Sequence, residues 1–278
     1  MIKKLLKSSL FLLVLFSILG FTVPTAEFSD DANTILLIDM DGTDGSTTLS
    51  DLSATVNKGA ATFYNECQLD TAQYQFATAS LLSDGSGDWI SFADNDDFVT
   101  GDTDFTYEFW LRLSAQSGVD SLCGQRAGGA SFNLIYGNWD ATNYSLDWYC
   151  YSAGQKGHYA ITSSGITTAT WYHIAIIRNG ATAELWIDGA QKTFTEVAAI
   201  TTQPNIAAVF QIMDYGNSTS EGTAGWMDEL RFSRVNRYPA TSRRIFIITK
   251  QIEKRWRNFT WSIKEMLGII PPMGYIRS

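Results

Sequence analysis

Residues 171–197 read WYHIAIIRNGATAELWIDGAQKTFTEV. Two turn dipeptides, Asn179-Gly180 and Asp188-Gly189, cut this stretch into three short runs. Trp171–Arg178, Ala183–Ile187 and Gln191–Val197 are rich in residues that suit a pleated strand. Asn-Gly and Asp-Gly suit a type I′ turn, whose two central residues need positive φ. The stretch is therefore expected to fold as a three-stranded antiparallel meander.

Working outward, the same grammar recurs. In Phe105–Leu113, Phe105, Tyr107, Phe109, Leu111 and Leu113 share one face by the two-residue period. Thr106, Glu108, Trp110 and Arg112 share the other. Further strands are expected at 34–39, 88–92, 121–125, 131–137, 144–151, 207–213 and 224–233. Gly, Asn, Asp and Ser turns separate them, and no stretch from 27 to 242 keeps a helical period. No internal repeat or linker interrupts this body. It is long enough to bury one full core, and its strand spacing is that of a sandwich or barrel.

Charge divides the chain of 278 residues into three parts. Residues 1–26 carry Lys3, Lys4 and Lys7 and no acid. Residues 27–242 carry 27 acids against 9 bases, a net of −18, and residues 243–278 carry 8 bases against 2 acids. The whole-chain value of −9 conceals this division. An acidic body lacks the basic footprint that nucleic acid requires. With 2 His and 3 Cys, a His/Cys zinc site or a His-based triad is a poor expectation.

The lysines precede an apolar run from Leu10 to Val23, shorter than the ~20 residues that span a bilayer. This pattern reads as a signal peptide over 1–26, with an uncleaved anchor as the alternative. A secreted or cell-surface protein is the expectation. Cys67, Cys123 and Cys150 then form at most one disulfide, or stay as buried free thiols. In the tail, Ile252, Trp256, Phe259, Ile263 and Met266 fall at helical spacing among lysines and arginines. Residues 243–278 are expected to be either a basic amphipathic helix with membrane contact or an unstructured extension.

Four segments taken in order carry a family resemblance. They are Thr34–Leu37 leading into Asp41–Thr47, Phe105–Arg112, Trp171–Ala175 with Leu185–Gly189, and Gly225–Ser233. Over roughly residues 32–239 the chain resembles the laminin-G-like, concanavalin-A-like jelly rolls. The resemblance implies an all-β, two-sheet antiparallel sandwich over 27–242. It also implies glycan or protein recognition at rim loops, and a frequent structural calcium near the closing strand.

For that calcium, Asp228 matches the closing-strand position, with Asp44 as a partner from the opening loop. Oxygen-only ligands fit Ca²⁺. For glycans, Tyr136–Tyr144 joins ring faces to amides and a carboxylate at a hairpin tip. Asn138, Trp139, Asp140, Asn143 and Tyr144 are its candidates, joined by Tyr215 and Asn217 from a second loop. Tyr149 and Tyr151 share one face of their strand, and Trp148 and Cys150 the other. Family members that cleave glycans carry alternating acids on one strand, and no such run occurs here. His173 reads as a core histidine, and His158 as a loop residue without a visible partner.

The expected function is therefore a secreted, non-enzymatic module that binds glycans or cell-surface proteins through sandwich-end loops, in adhesion. A structural surface domain without a sugar site and a divergent glycoside hydrolase are the rivals.

Overall fold

The computed structural model describes residues 23–54, 56–116, 118–139, 144–215 and 221–238. The expected tail over 243–278 and nearly all of the expected signal peptide lie outside these residues. Val23–Arg237 forms one compact unit.

Sixteen strands are present among the described residues: β1 (Thr34–Ile38), β2 (Thr62–Tyr64), β3 (Gln68–Asp70), β4 (Ser80–Asp84), β5 (Trp89–Phe92), β6 (Phe105–Leu113), β7 (Val119–Gly128), β8 (Ser131–Asn138), β9 (Ser145–Ser152), β10 (Gln155–Ile161), β11 (Tyr172–Asn179), β12 (Thr182–Ile187), β13 (Ala190–Lys192), β14 (Thr195–Ala198), β15 (Phe210–Ile212) and β16 (Ala224–Ser233). They form two antiparallel sheets, a jelly-roll sandwich. Sheet I runs β13-β12-β11-β6-β16-β4-β3, with β1 also beside β16. Sheet II runs β14-β10-β9-β8-β7-β15-β5-β2.

The meander forms with two changes. Asp188 (φ 49°) and Gly189 (φ 72°) make the expected type I′ pair between Ile187 and Ala190. The first turn sits one residue later than expected. Asn179 pairs with Thr182, so the loop is Gly180-Ala181, with glycine (φ 62°) first. A glycine at the first central position is the type II′ solution. The third run, Gln191–Val197, divides at Thr193-Phe194. Its first part, β13, pairs with β12 in sheet I, whereas β14 pairs with β10 in sheet II.

The core lies between the sheets. Tyr107 stacks on Phe232 at 3.9 Å, and Phe210 lies against Phe98 at 5.0 Å and Phe232 at 6.1 Å. Each such pair adds about 0.5–1.5 kcal/mol beyond the burial itself. Trp148 is fully buried, and its indole donates to Asn133 Oδ1 at 2.9 Å. Cys67, Cys123 and Cys150 are free, buried thiols. Burial pushes Cys150 up to about 12, so it stays protonated.

The outer face of sheet I is also covered. Residues of β6 that alternation places outside the core, Thr106, Glu108 and Trp110, are buried. Phe28 packs edge-on against His173 at 6.0 Å and under the Arg231 guanidinium at 4.6 Å. Phe76 packs against Trp110 at 5.6 Å. The chain around Phe28 and Phe76 therefore straps this face. Beneath it, Arg231 donates from Nε to Glu108 Oε1 at 2.8 Å. No helix among the described residues is long and apolar enough to cross a membrane.

Candidate functional site

Sheet II leaves its outer face open at β8, β9 and β10. Alternation in β9 sends Leu146, Trp148 and Cys150 into the core and Asp147, Tyr149 and Tyr151 outward. Register then aligns the neighbours. Phe132 faces Tyr151, Leu134 faces Tyr149, and Tyr136 faces Asp147 across β8 and β9. His158 faces Tyr149 across β9 and β10.

These side chains touch. Phe132 meets Tyr149 edge-on at 4.9 Å and stacks on Tyr151 at 5.8 Å. His158 stacks on Tyr149 at 4.2 Å, with 19° between the planes. The result is a half-buried aromatic platform of Phe132, Tyr149, Tyr151 and His158.

One carboxylate sits in the platform. Asp147 is 9% exposed, and its Oδ2 lies 3.4 Å from His158 Nε2. Its carboxylate is also hydrogen-bonded by the Tyr136 hydroxyl, and its Oδ1 is sealed from solvent. Burial, and then the Asp147 charge, push the Tyr136 hydroxyl well up, so it stays a donor. At the margin, Arg126 lies opposite Phe132 and over the Tyr215 ring at 3.9 Å.

The loop residues chosen from sequence fare differently. Trp139 is 1% exposed and part of the core, which removes it as a sugar-stacking residue. Gly137 makes this possible: a Cβ there would lie 2.1 Å from the Trp139 ring. Trp139 N also donates to Gly118 O at 2.8 Å, which turns the residue back onto the sandwich. Tyr144 is exposed, Asn138 ends β8, and Tyr215 carries Arg126. Asp140, Asn143 and Asn217 lie outside the described residues. His158, read as a loop residue, is in β10 with Asp147 and Tyr149 as partners.

Phe132, Tyr136, Asp147 and His158 were missed as site residues. The available signal was the outward pairing of Tyr149 and Tyr151, but using it required the β8–β9–β10 register.

The two metal candidates each accept backbone hydrogen bonds from the segment after β3. Asp44 Oδ1 accepts from Thr71 N at 3.2 Å. Asp228 Oδ2 accepts from Gln75 N at 2.7 Å and Phe76 N at 3.0 Å, while its buried Oδ1 lacks a partner. Burial raises Asp228 to about 7, against the pull of those amides. Among the described residues no group of three or more His, Cys, Asp or Glu is gathered as for a metal ion.

A second acidic locus lies near Trp139. Burial pushes Asp120 up to about 7, the Asp214 charge adds to this, and the Trp139 indole opposes it.

The model of the concanavalin A-like lectin/glucanases superfamily matches residues 84–240. The chain belongs to this superfamily. No curated protein matches the sequence. Among solved structures, domain 4 of AbnA, a GH43 extracellular arabinanase from Geobacillus stearothermophilus, in complex with arabinotriose, is similar. It has a TM-score of 0.53 at 15% identity, over 73% of this chain and 93% of that one. The binding domain of Paraclostridial Mosquitocidal Protein 1 gives 0.57 at 14% identity, over 77% of this chain and 51% of that one. The ligand-binding domain of botulinum neurotoxin serotype D, in complex with N-acetylneuraminic acid, gives 0.53 at 14%, over 73% and 48%. The chain thus spans about half the length of these toxin domains. At such identities the likeness concerns the fold of this lectin-like superfamily member.

Proposed function

We propose that the protein is an exported, non-enzymatic module that binds glycans on the outer face of sheet II. The observation that carries this reading is the solvent-facing platform of Phe132, Tyr149, Tyr151 and His158. A pyranose offers an apolar ring face to stack and hydroxyls to pair, and the platform supplies ring faces edged by the polar groups of Tyr149 and Tyr151. Superfamily membership and neighbours whose structures hold arabinotriose and N-acetylneuraminic acid support the same reading.

A binding role suits this face better than hydrolysis. Glycoside cleavage ordinarily needs two carboxyl groups flanking one bond. Strands β8, β9 and β10 together contain a single acid, Asp147.

The test is a glycan array followed by titration calorimetry, with Tyr149→Ala as the control. The wild type should bind, and the variant should lose about five- to tenfold in affinity, as stacking contacts of ~1–1.4 kcal/mol imply. No signal from the wild type on any glycan would leave a protein-contacting role for the same face.

We also propose Asp228 Oδ1 as a ligand for a structural calcium ion. Adding calcium after chelation should raise the Tm of the wild type and leave that of Asp228→Asn unchanged. Equal response of the two proteins would move the ion elsewhere.

A further inference from the structure

Glu229, on the closing strand, is a buried acid among acids. Strand β16 shifts register against β6 between Asp228 and Arg231, and Glu229 there has a left-handed backbone (φ 52°). Bulges of this kind re-aim a side chain. Glu229 is 1% exposed, and its Oε2 accepts from Phe28 N, in the strap over sheet I, at 2.6 Å. Its Oε1 is buried without a hydrogen-bond partner.

Asp228 precedes Glu229, and the pairing of Ile38 with Leu230 brings Asp39 alongside. Arg231, the one cation of β16, is turned to Glu108 Oε1 at 2.7 Å and to Ser29 O at 2.9 Å. A buried carboxylate without a cation is costly.

The strap holds a nitrogen that can become that cation. Phe28 is fixed by Glu229, by the Arg231 guanidinium and by the His173 ring. Successive backbone nitrogens lie within about 4 Å of each other, so Glu27 N is in reach of the same carboxylate. Ala26 and Glu27 are exposed, so no packing at this point is lost with the leader. In the uncut chain Glu27 N is a neutral amide. Hydrolysis of the Ala26–Glu27 bond by a leader peptidase consumes one water. It leaves a carboxylate on the departing Ala26 and, at neutral pH, an α-ammonium on Glu27.

We propose that removal of residues 1–26 seats the new α-ammonium of Glu27 on the Glu229 carboxylate, so that processing completes the cover over sheet I. The proposal rests on the export reading above and not on glycan binding.

The experiment compares residues 27–278 with residues 25–278, each with and without Glu229→Gln, in chelator at pH 7 so that calcium contributes nothing. The shorter wild-type chain should melt about 3 °C or more above the longer one, the scale of one buried interaction in a domain of this size. Glu229→Gln should abolish that difference. Equal melting of the two wild-type lengths overturns the proposal, and so does a difference that persists in Glu229→Gln. Acylation of the α-amine against pH is the second readout, and it needs no variant. The amine of the 27–278 chain should titrate above the ordinary value of about 8 and above that of the 25–278 chain. Equal midpoints overturn the pairing. Mass spectrometry of the exported protein should find Glu27 first, and a different first residue overturns the processing site. A protein that keeps residues 1–26 and stays in the cell removes the export reading and this proposal together. The glycan titration is independent of every one of these outcomes.

Discussion

At the scale of single residues, Trp139 and Tyr149 exchange the roles that composition assigns. Trp139 lies in a polar, loop-like segment, Tyr136-Gly137-Asn138-Trp139, and looks like a recognition residue. Its ring instead fills the space left by the missing side chain of Gly137. A buried indole removed from such a position leaves a cavity, so Trp139→Ala should cost about 3–5 kcal/mol in chemical denaturation. An unchanged denaturation midpoint would return Trp139 to the surface. Tyr149 behaves oppositely, because its ring rests on Phe132 and His158 at the solvent face. The outward direction of Tyr149 and Tyr151 was legible from alternation along β9. Their partners were not, since Phe132 and His158 come from other strands and meet Tyr149 only through register. The strand holding His158 was itself illegible. Gln155-Lys156-Gly157-His158 is polar and contains glycine, which resembles a loop when read alone.

At the scale of elements, β6, β16 and the Asp188-Gly189 turn of the meander were legible because each satisfies its own local rule. The shift of the first turn to Gly180-Ala181 has a local cause as well. Gly180 N donates to Asp104 Oδ1 at 2.7 Å, and Thr182 Oγ1 donates to Asn179 O at 3.0 Å. These contacts hold Asn179 inside the strand. What alternation could not show is that both faces of β6 are buried. Phe28 and Phe76 lie far from β6 in the chain, and their packing is a tertiary event. The cover makes Glu108 a fully buried acid, paired with Arg231 Nη2 at 2.7 Å. Breaking such a pair strands the remaining charge. Glu108→Ala should therefore destabilise the fold by about 3–5 kcal/mol, read from urea denaturation. A double variant, Glu108→Ala with Arg231→Met, should recover part of that loss. If the double variant is no more stable than Glu108→Ala, the stranded charge is not the cause.

At the scale of the whole molecule, the acidic body makes stability depend on pH in a definite direction. Burial raises Asp120 from an ordinary 3.8 to about 7. The folded protein therefore binds a proton that the unfolded chain has released, between about pH 4 and about pH 7. Stability associated with Asp120 is full below the lower value and is lost as pH rises through the upper one. Asp31 works in the opposite sense. Its hydrogen bonds from Arg237 hold it well below the usual carboxylate range. Its contribution is present above about pH 4 and is lost only as pH falls further, and at its exposed position it is small. The two directions together place the most stable condition in mildly acidic solution. The Tm of the wild type should therefore fall as pH rises from about 5 to about 8. Asp120→Asn cannot ionise, so its Tm should fall less over the same range. A variant slope as steep as that of the wild type would assign the pH dependence to other acids of the body.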